Sequence, residues 1–316
     1  MRKALIVGIN YYKHGTQLQG CVNDAQAVKT VLEEHENGKP NFGVETLISS
    51  DESSLVNKKD LKLEIKKLFR DDNDIALFYF SGHGHIEDTG GYLITSDCIT
   101  GDEGLSMDEI MKIVNNSKAK NKIIIFDCCH SGYFGNYDFS GHMKISKGTV
   151  ILTASAENQY AKEIDGQGVF TSLFIDALKG NAANVLGEIT LGSIYAHIDR
   201  SLGPWKQRPL FKANIKNFHS VRDVNPPIEL KLLKQITTFF KDKDYEYPLD
   251  PSYEKTHKLA ILENTKKFEI LQEYKGVGLV IQIGEKHMYY AAIRSKSCKL
   301  TALGKFYWSL IKAKRI

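Results

Sequence analysis

Residues Lys122–Gly132 read K-I-I-I-F-D-C-C-H-S-G, and the fold turns on them. The apolar run Ile123–Phe126 suits a strand buried on both faces, as in a parallel sheet. It stops abruptly at an acid, two thiols, an imidazole, a hydroxyl and a glycine. Just past the carboxyl end of such a strand is where open α/β sheets hold their ligands. A second stretch has the same design: Ile75–Phe80, I-A-L-F-Y-F, followed by Ser81-Gly82-His83-Gly84-His85. Two neighbouring parallel strands would bring a thiol and an imidazole to one sheet edge.

Outward from these strands the pattern alternates. Ala4–Ile9 reads as a first strand, and the polar loop Leu18–Asp24 leads to a helix with apolar positions Ala25, Val28, Val31 and Leu32. Asn23 or Asp24 is placed to cap that helix. Strand Val44–Ile48, helix Ser54–Phe69, strand Ile75–Phe80, helix Ser106–Asn115 and strand Lys122–Phe126 complete a β-α-β-α-β series, which implies an α/β, doubly wound, mostly parallel sheet. Beyond the loop Tyr133–Lys147, Thr149–Ala154 is a strand, Val169–Leu178 and Thr190–Leu202 are helices, and Pro209-Leu210-Phe211 starts a last strand. Val224-Asn225-Pro226-Pro227 is the best linker in the chain. The expected division is a first domain over 1–222, a linker over 223–227 and a small domain over 228–316. In the last, Ile228–Lys241, Tyr253–Tyr274 and Thr301–Ala313 read as helices, with Tyr245–Pro251 as a break. Gly278–Ile283 and His287–Ile293 read as a hairpin around Gly284-Glu285. The package resembles a winged helix.

The 316 residues can bury a large core, and the hydrophobic and charged fractions, 42% and 25%, are those of an ordinary soluble protein. No run approaches the roughly 18 apolar residues of a membrane span. The opening M-R-K-A-L-I-V-G is too short for a secretory signal, and five cysteines do not make a disulfide framework. A cytoplasmic chain with reduced thiols and no membrane partner is expected. Residues 1–225 carry 25 basic and 28 acidic side chains, whereas residues 226–316 carry 17 and 10. The two parts therefore suit different partners.

A cysteine attacks as thiolate, and a nearby imidazole both lowers its pKa and later protonates a leaving amine. Cys129 and His83 fit those roles, with the amides of Gly84 and Cys129 as an oxyanion hole. Plainer readings compete. Cys21, Cys98 and Cys298 suit small buried hydrophobes, as most free cysteines do. Cys128 should point away from Cys129, since strand side chains alternate. A metal site from His83, His85, Cys128, Cys129 and His130 lacks the usual spacing of paired thiols, and no metal ligand is assigned. His85 and His130 read as polar loop residues supporting the site.

Together, Ser81-Gly82-His83-Gly84 and Asp127-Cys128-Cys129-His130-Ser131-Gly132 resemble the signatures of the caspase-like cysteine peptidases, and the metacaspases and prokaryotic caspase homologues among them. The likeness runs from residue 3 to about 215 and takes in the Gly168-Val169-Phe170-Thr171 helix start. It implies a caspase-like three-layer αβα sandwich, with Cys129 as nucleophile and His83 as general acid and base. Caspases proper accept aspartate through basic residues. Here the matching places hold Asp127 and Asp24, which metacaspases use to bind arginine or lysine, so protein substrates with basic residues are implied. The loop Tyr133–Lys147 lies where many members are nicked, which marks Lys144 and Lys147 for self-cleavage. No cofactor is required by the resemblance. Calcium, which many metacaspases need, is left open, because Glu157, Glu163 and Asp165 show no matching spacing. Residues 228–316 resemble no enzyme and read first as an adaptor for a regulatory protein, with nucleic acid second. Prokaryotic stress or antiviral cell death is implied by family company alone. A catalytically silent scaffold and a DNA-binding regulator are the rival readings. The aromatics Tyr289, Tyr290, Phe306, Tyr307 and Trp308 are expected in the core rather than on a base-stacking surface.

Overall fold

The computed structural model describes residues 1–128, 145–154, 163–164, 167–203 and 208–316, with backbone alone at 102, 163, 164 and 167. They form two compact units, Met1–Ala183 with Gly187–Asn225, and Asn184–Leu186 with Pro226–Ile316.

In chain order the first unit contains β1 (Arg2–Ile9), α1 (Cys21–Glu33), β2 (Gly43–Ser49), α2 (Lys58–Arg70), β3 (Ile75–Ser81), β4 (Gly84–Glu87), β5 (Gly90–Leu93), β6 (Leu105–Ser106), α3 (Met107–Asn115), β7 (Asn121–Asp127), β8 (Thr149–Thr153), β9 (Glu163–Ile164), β10 (Gln167–Gly168), α4 (Val169–Asp176), β11 (Glu188–Thr190), α5 (Leu191–Leu202), β12 (Leu210–Asn214) and β13 (Ser220–Asp223). The main sheet has the order β12-β8-β7-β3-β1-β2. All of its pairings are parallel except that of β12, which runs antiparallel along β8.

The apolar runs explain the layering. Every residue of β3 is buried, and successive side chains enter different cores. Leu77 and Tyr79 join Ile6 and Ile125 in a cluster with residues of α1, α4 and α5. Phe78 and Phe80 join Phe126 in a second cluster with residues of α2 and α3. Each fully buried aliphatic or phenylalanine side chain contributes about 1.5–3 kcal/mol. A sheet with helices on both faces is the three-layer αβα arrangement expected of the sequence. The strand order reverses between β1 and β3, so the crevice at their carboxyl ends is the switch point where such sheets bind ligands.

Two helix starts differ from expectation for reasons of capping. α2 begins at Lys58 rather than Ser54, because Asn57 caps it by accepting from the Asp60 N–H, while the Ser54 hydroxyl is taken up by the turn at Asp51. α1 is capped by neither Asn23 nor Asp24. Its N-cap position is Gly20, and the Val22 N–H is satisfied by the Asn10 side chain from the end of β1. Asp24 is thereby released for other work.

The second unit comprises α6 (Leu230–Lys234), α7 (Ile236–Phe239), β14 (Glu246–Pro248), α8 (Leu262–Gly276), β15 (Val280–Ile283), α9 (Met288–Ile293), β16 (Ser297–Leu300) and α10 (Ala302–Lys312). Its sheet has the order β14-β16-β15, all antiparallel. Three expectations are corrected here. The helix over Ile228–Lys241 is two short pieces. Leu233, Ile236 and Phe240 are all fully buried, and the Tyr274 hydroxyl takes the Leu232 carbonyl at 2.6 Å. The helix over Tyr253–Tyr274 starts only at Leu262, since side chains upstream bond their own neighbours. Glu254 accepts from the Thr256 N–H and hydroxyl, and His257 Nδ1 accepts from the Leu259 N–H. Such local bonds compete with the helix.

The third correction is the hairpin, which is strand, helix, strand. Met288, Ala291 and Ala292 are buried at helical spacing rather than alternating. α9 then ends in a Schellman turn, with Ser295 at φ 49° and the Lys296 N–H reaching back to the Ala291 carbonyl. The core aromatics are fewer than expected as well. Tyr307 is buried and Trp308 donates to the Phe240 carbonyl at 2.6 Å, but Tyr289, Tyr290 and Phe306 are exposed. Among the described residues no helix is long and apolar enough to cross a membrane.

Candidate active site

The register of the main sheet sets the site. Ser81 of β3 pairs with Asp127 of β7, and Gly8 of β1 pairs with Ser81. His83 and Cys129 each lie two residues beyond the paired Ser81 and Asp127 in sequence. Cys129 and His130 fall outside the described residues.

His83 is held at three points. Its backbone N–H donates to the Tyr12 hydroxyl at 2.7 Å, its ring lies 4.6 Å from the Tyr12 ring, and its Nε2 meets the Thr16 carbonyl at 2.8 Å. A carbonyl only accepts, so Nε2 carries the hydrogen and the neutral ring keeps its lone pair on Nδ1. Tyr12 is buried, and burial first, with neighbouring thiols as smaller influences, raises its phenol well above the ordinary value, against the opposing pull of the hydrogen bond from the His83 N–H. It therefore stays protonated. Gly82 has no room for a side chain, since a Cβ would stand 2.7 Å from the Tyr12 oxygen. Neither Tyr12 nor Thr16 stands out in the sequence; a main-chain acceptor has no residue signature.

Two buried carboxylates converge near the same strand ends. Asp24, 2% exposed, accepts from the Gly168 N–H with both oxygens, at 3.2 and 3.1 Å. Gly168 is the N-cap of α4, where the helix dipole favours negative charge. Asp127, 6% exposed, accepts from the Thr171 hydroxyl at 2.7 Å, and the Tyr79 hydroxyl lies 2.6 Å from that oxygen. Thr171 has spent its one hydrogen on the carboxylate, so Tyr79 donates to it. Burial, then the charges of Asp127 and Asp24, push the Tyr79 phenol well above its usual pKa. A Cβ on Gly168 would stand 2.5 Å from an Asp127 oxygen and 2.9 Å from an Asp24 oxygen. Residues 24, 127 and 168, remote in sequence, thus meet at one α-carbon.

The remaining sequence expectations fall as follows. Gly84 pairs with Leu93, and the His83 carbonyl accepts from Ile94; because ladder positions alternate, the Gly84 N–H points away from β5. Cys128 is buried in the apolar cluster with Phe80 and Phe126. Cys21 and Cys298 are buried too, and Cys98 is half-buried beside Thr95. His85 pairs with Glu87 at 2.9 Å. Lys144, Glu157 and Asp165, and the side chain of Glu163, lie outside the described residues. Among the described residues no group of three or more His, Cys, Asp or Glu side chains is arranged to hold a metal ion. Lys147 sits in the turn before β8, where its carbonyl accepts from the buried Lys122 ammonium at 2.6 Å. The next residue, Gly148, has φ 81° and donates its N–H to the Asn214 carbonyl.

Comparison with known proteins bears on the family and the fold. The family model for the caspase domain matches residues 1–219. Metacaspase-1A of Aspergillus oryzae is 32% identical over 155 residues, covering 42% of this chain and 34% of that relative. Metacaspase-8 of Arabidopsis thaliana is 33% identical over 142 residues, covering 42% and 37%. The chain thus matches only about a third of these relatives' length. Among solved structures, caspase-1 from Spodoptera frugiperda superposes with a TM-score of 0.53 at 13% identity, over 71% of this chain and 91% of that one. A protein from Geobacter sulfurreducens gives a TM-score of 0.54 at 18% identity, over 71% and 100%. At these identities the structural matches speak for the fold alone.

Proposed function

This chain belongs to the caspase domain family, and on that footing we propose that it is a cysteine endopeptidase that cuts peptide bonds after arginine or lysine. The observation that carries the specificity is the convergence of Asp24 and Asp127 on Gly168 beside the strand end that bears His83. Two buried carboxylates favour a cationic side chain, and each charge-assisted hydrogen bond contributes roughly 1.5–3 kcal/mol.

In this reading Cys129 gives its proton to His83 Nδ1 and attacks the scissile carbonyl. The amides of Gly84 and Cys129 stabilise the oxyanion. His83 then protonates the leaving amine, and water hydrolyses the acyl-thioester. The Thr16 carbonyl supports the imidazolium formed in the first step. A fluorogenic peptide panel varied only at the residue before the scissile bond tests the proposal. Turnover of the arginine and lysine peptides, lost in Cys129→Ala, is expected; preference for aspartate, or turnover that survives Cys129→Ala, would overturn it.

Self-processing belongs to the same reading, with Lys144 as the favoured point. The Lys147 carbonyl is bound by an ammonium and the following N–H by Asn214, which holds that bond away from the extended form a protease needs. Mass spectrometry of active enzyme should show no new terminus at Gly148. Calcium is an added variable, and an EGTA titration of turnover decides whether it is required. The unit over 228–316, with its surplus of basic residues and exposed Tyr289, Tyr290 and Phe306, serves as the platform for a regulatory protein that wakes a cytoplasmic enzyme.

A further inference from the structure

The Thr16 carbonyl reaches His83 only because the chain between β1 and α1 is folded back on itself, and one side chain does the folding. Gln17 accepts from the Tyr12 N–H at 2.9 Å through Oε1 and donates to the Tyr12 carbonyl at 2.7 Å through Nε2. A single carboxamide thereby closes the loop as a paired strand would. The loop's base is tied separately. Leu18 donates to the Asn10 carbonyl, Asn10 Nδ2 donates to the Gln19 carbonyl, and the Lys13 N–H is held by the Ser96 carbonyl. Both groups that fix His83, the Tyr12 hydroxyl and the Thr16 carbonyl, sit in the segment that Gln17 clamps.

We propose that Gln17 is a positioning residue for His83, acting through the Tyr12–Thr16 segment to impose the Nε2–H tautomer. Its effect on turnover rests on the peptidase reading; its effect on the ring does not. When the clamp opens, the Thr16 carbonyl is free to leave Nε2, water competes for that nitrogen, and the Nδ1–H tautomer gains population. Less of the protein then presents a lone pair on Nδ1.

Nitrogen-15 NMR of the His83 ring in the full-length Cys129→Ala protein reads the tautomer without any turnover. The parent should show Nε2–H alone, and Gln17→Leu a mixture. Gln17→Glu, which keeps the acceptor and loses the donor, should fall between them. In the chain with Cys129 intact, Gln17→Leu should lower kcat roughly tenfold, the loss of one or two ordinary hydrogen bonds, with KM within about twofold. Should Gln17→Leu not fold, Gln17→Glu carries the test alone, and its ring spectrum should still show some Nδ1–H tautomer. An unchanged ring spectrum in Gln17→Leu, or in Gln17→Glu where that variant alone folds, would overturn the clamp. A spectrum that responds as expected in a protein whose Cys129-bearing form never cleaves a basic peptide would instead leave the clamp standing and remove the peptidase reading.

Discussion

Each unit of the molecule buries acid side chains and holds a half-buried imidazole, but uses them differently. In the second unit Glu254 turns back onto Thr256 and His257 onto Leu259, two residues along the chain. In the first, Asp24 reaches Gly168, Asp127 reaches Thr171 and His83 reaches Thr16, across 144, 44 and 67 residues. Local bonds shape a turn and end there. Long-range bonds demand that several elements be placed together first, and they gather charge where a ligand can meet it. The contrast separates side chains that build the molecule from those to which the proposed function gives a role.

Substitution can break that contrast, beginning with the imidazoles. His83→Ala should lower kcat on an arginine peptide by roughly 10²–10⁴, the usual worth of a general acid–base, while His257→Ala leaves steady-state turnover near wild type. The carboxylates come next. Asp24→Asn or Asp127→Asn should cost about 10–100-fold in kcat/KM for arginine and lysine peptides. Glu254→Gln should instead lower the melting temperature and spare kcat/KM. Equal kinetic losses in both units would erase the distinction.

Glycines sharpen it further. Gly168→Ala drives a methyl against both site carboxylates and should depress turnover. Gly304→Ala would drive one into the Leu279 carbonyl and should cost the second unit about 1–3 kcal/mol, as overpacking does, without touching kinetics. Smallest is a pH effect read in the second unit. Burial raises the Cys298 thiol to about 12, and burial likewise raises Tyr274 and Tyr247. A raised acid favours the fold in full below its unfolded pKa, about 8.5 for a thiol, and that contribution is lost as pH rises toward the folded value. Calorimetry should show this unit's transition falling between pH 9 and 12, less steeply in Cys298→Ala.

Much of the first unit was legible because parallel strands buried on both faces write themselves as unbroken apolar runs. Ile75–Phe80 and Ile123–Phe126 fall inside β3 and β7, and their ends carry the chemistry the sequence marked. Asp24 and Asp127 were named through family resemblance; their meeting at Gly168 was not, since it depends on three elements docking. Thr16 and Gln17 were invisible because they act through a main-chain carbonyl and a folded loop. The second unit resisted for another reason. Its elements are short, and His287–Ile293 is rich in strand-forming residues, so the choice of helix fell to burial of Met288, Ala291 and Ala292 and to a left-handed Ser295 that no composition betrays.

The pair of hydroxyls behind Asp127 has one more consequence. Tyr79 gives to Thr171 and Thr171 gives to Asp127, so the hydrogens all point one way, from the middle of the sheet to the pocket wall. A one-way relay of this kind stiffens as a whole when its end is polarised. If Asp127 meets a cation as the proposed function has it, the change in its charge would therefore register at a tyrosine sealed in the protein's interior, and Tyr79 ultraviolet absorption would serve as a gauge of occupancy.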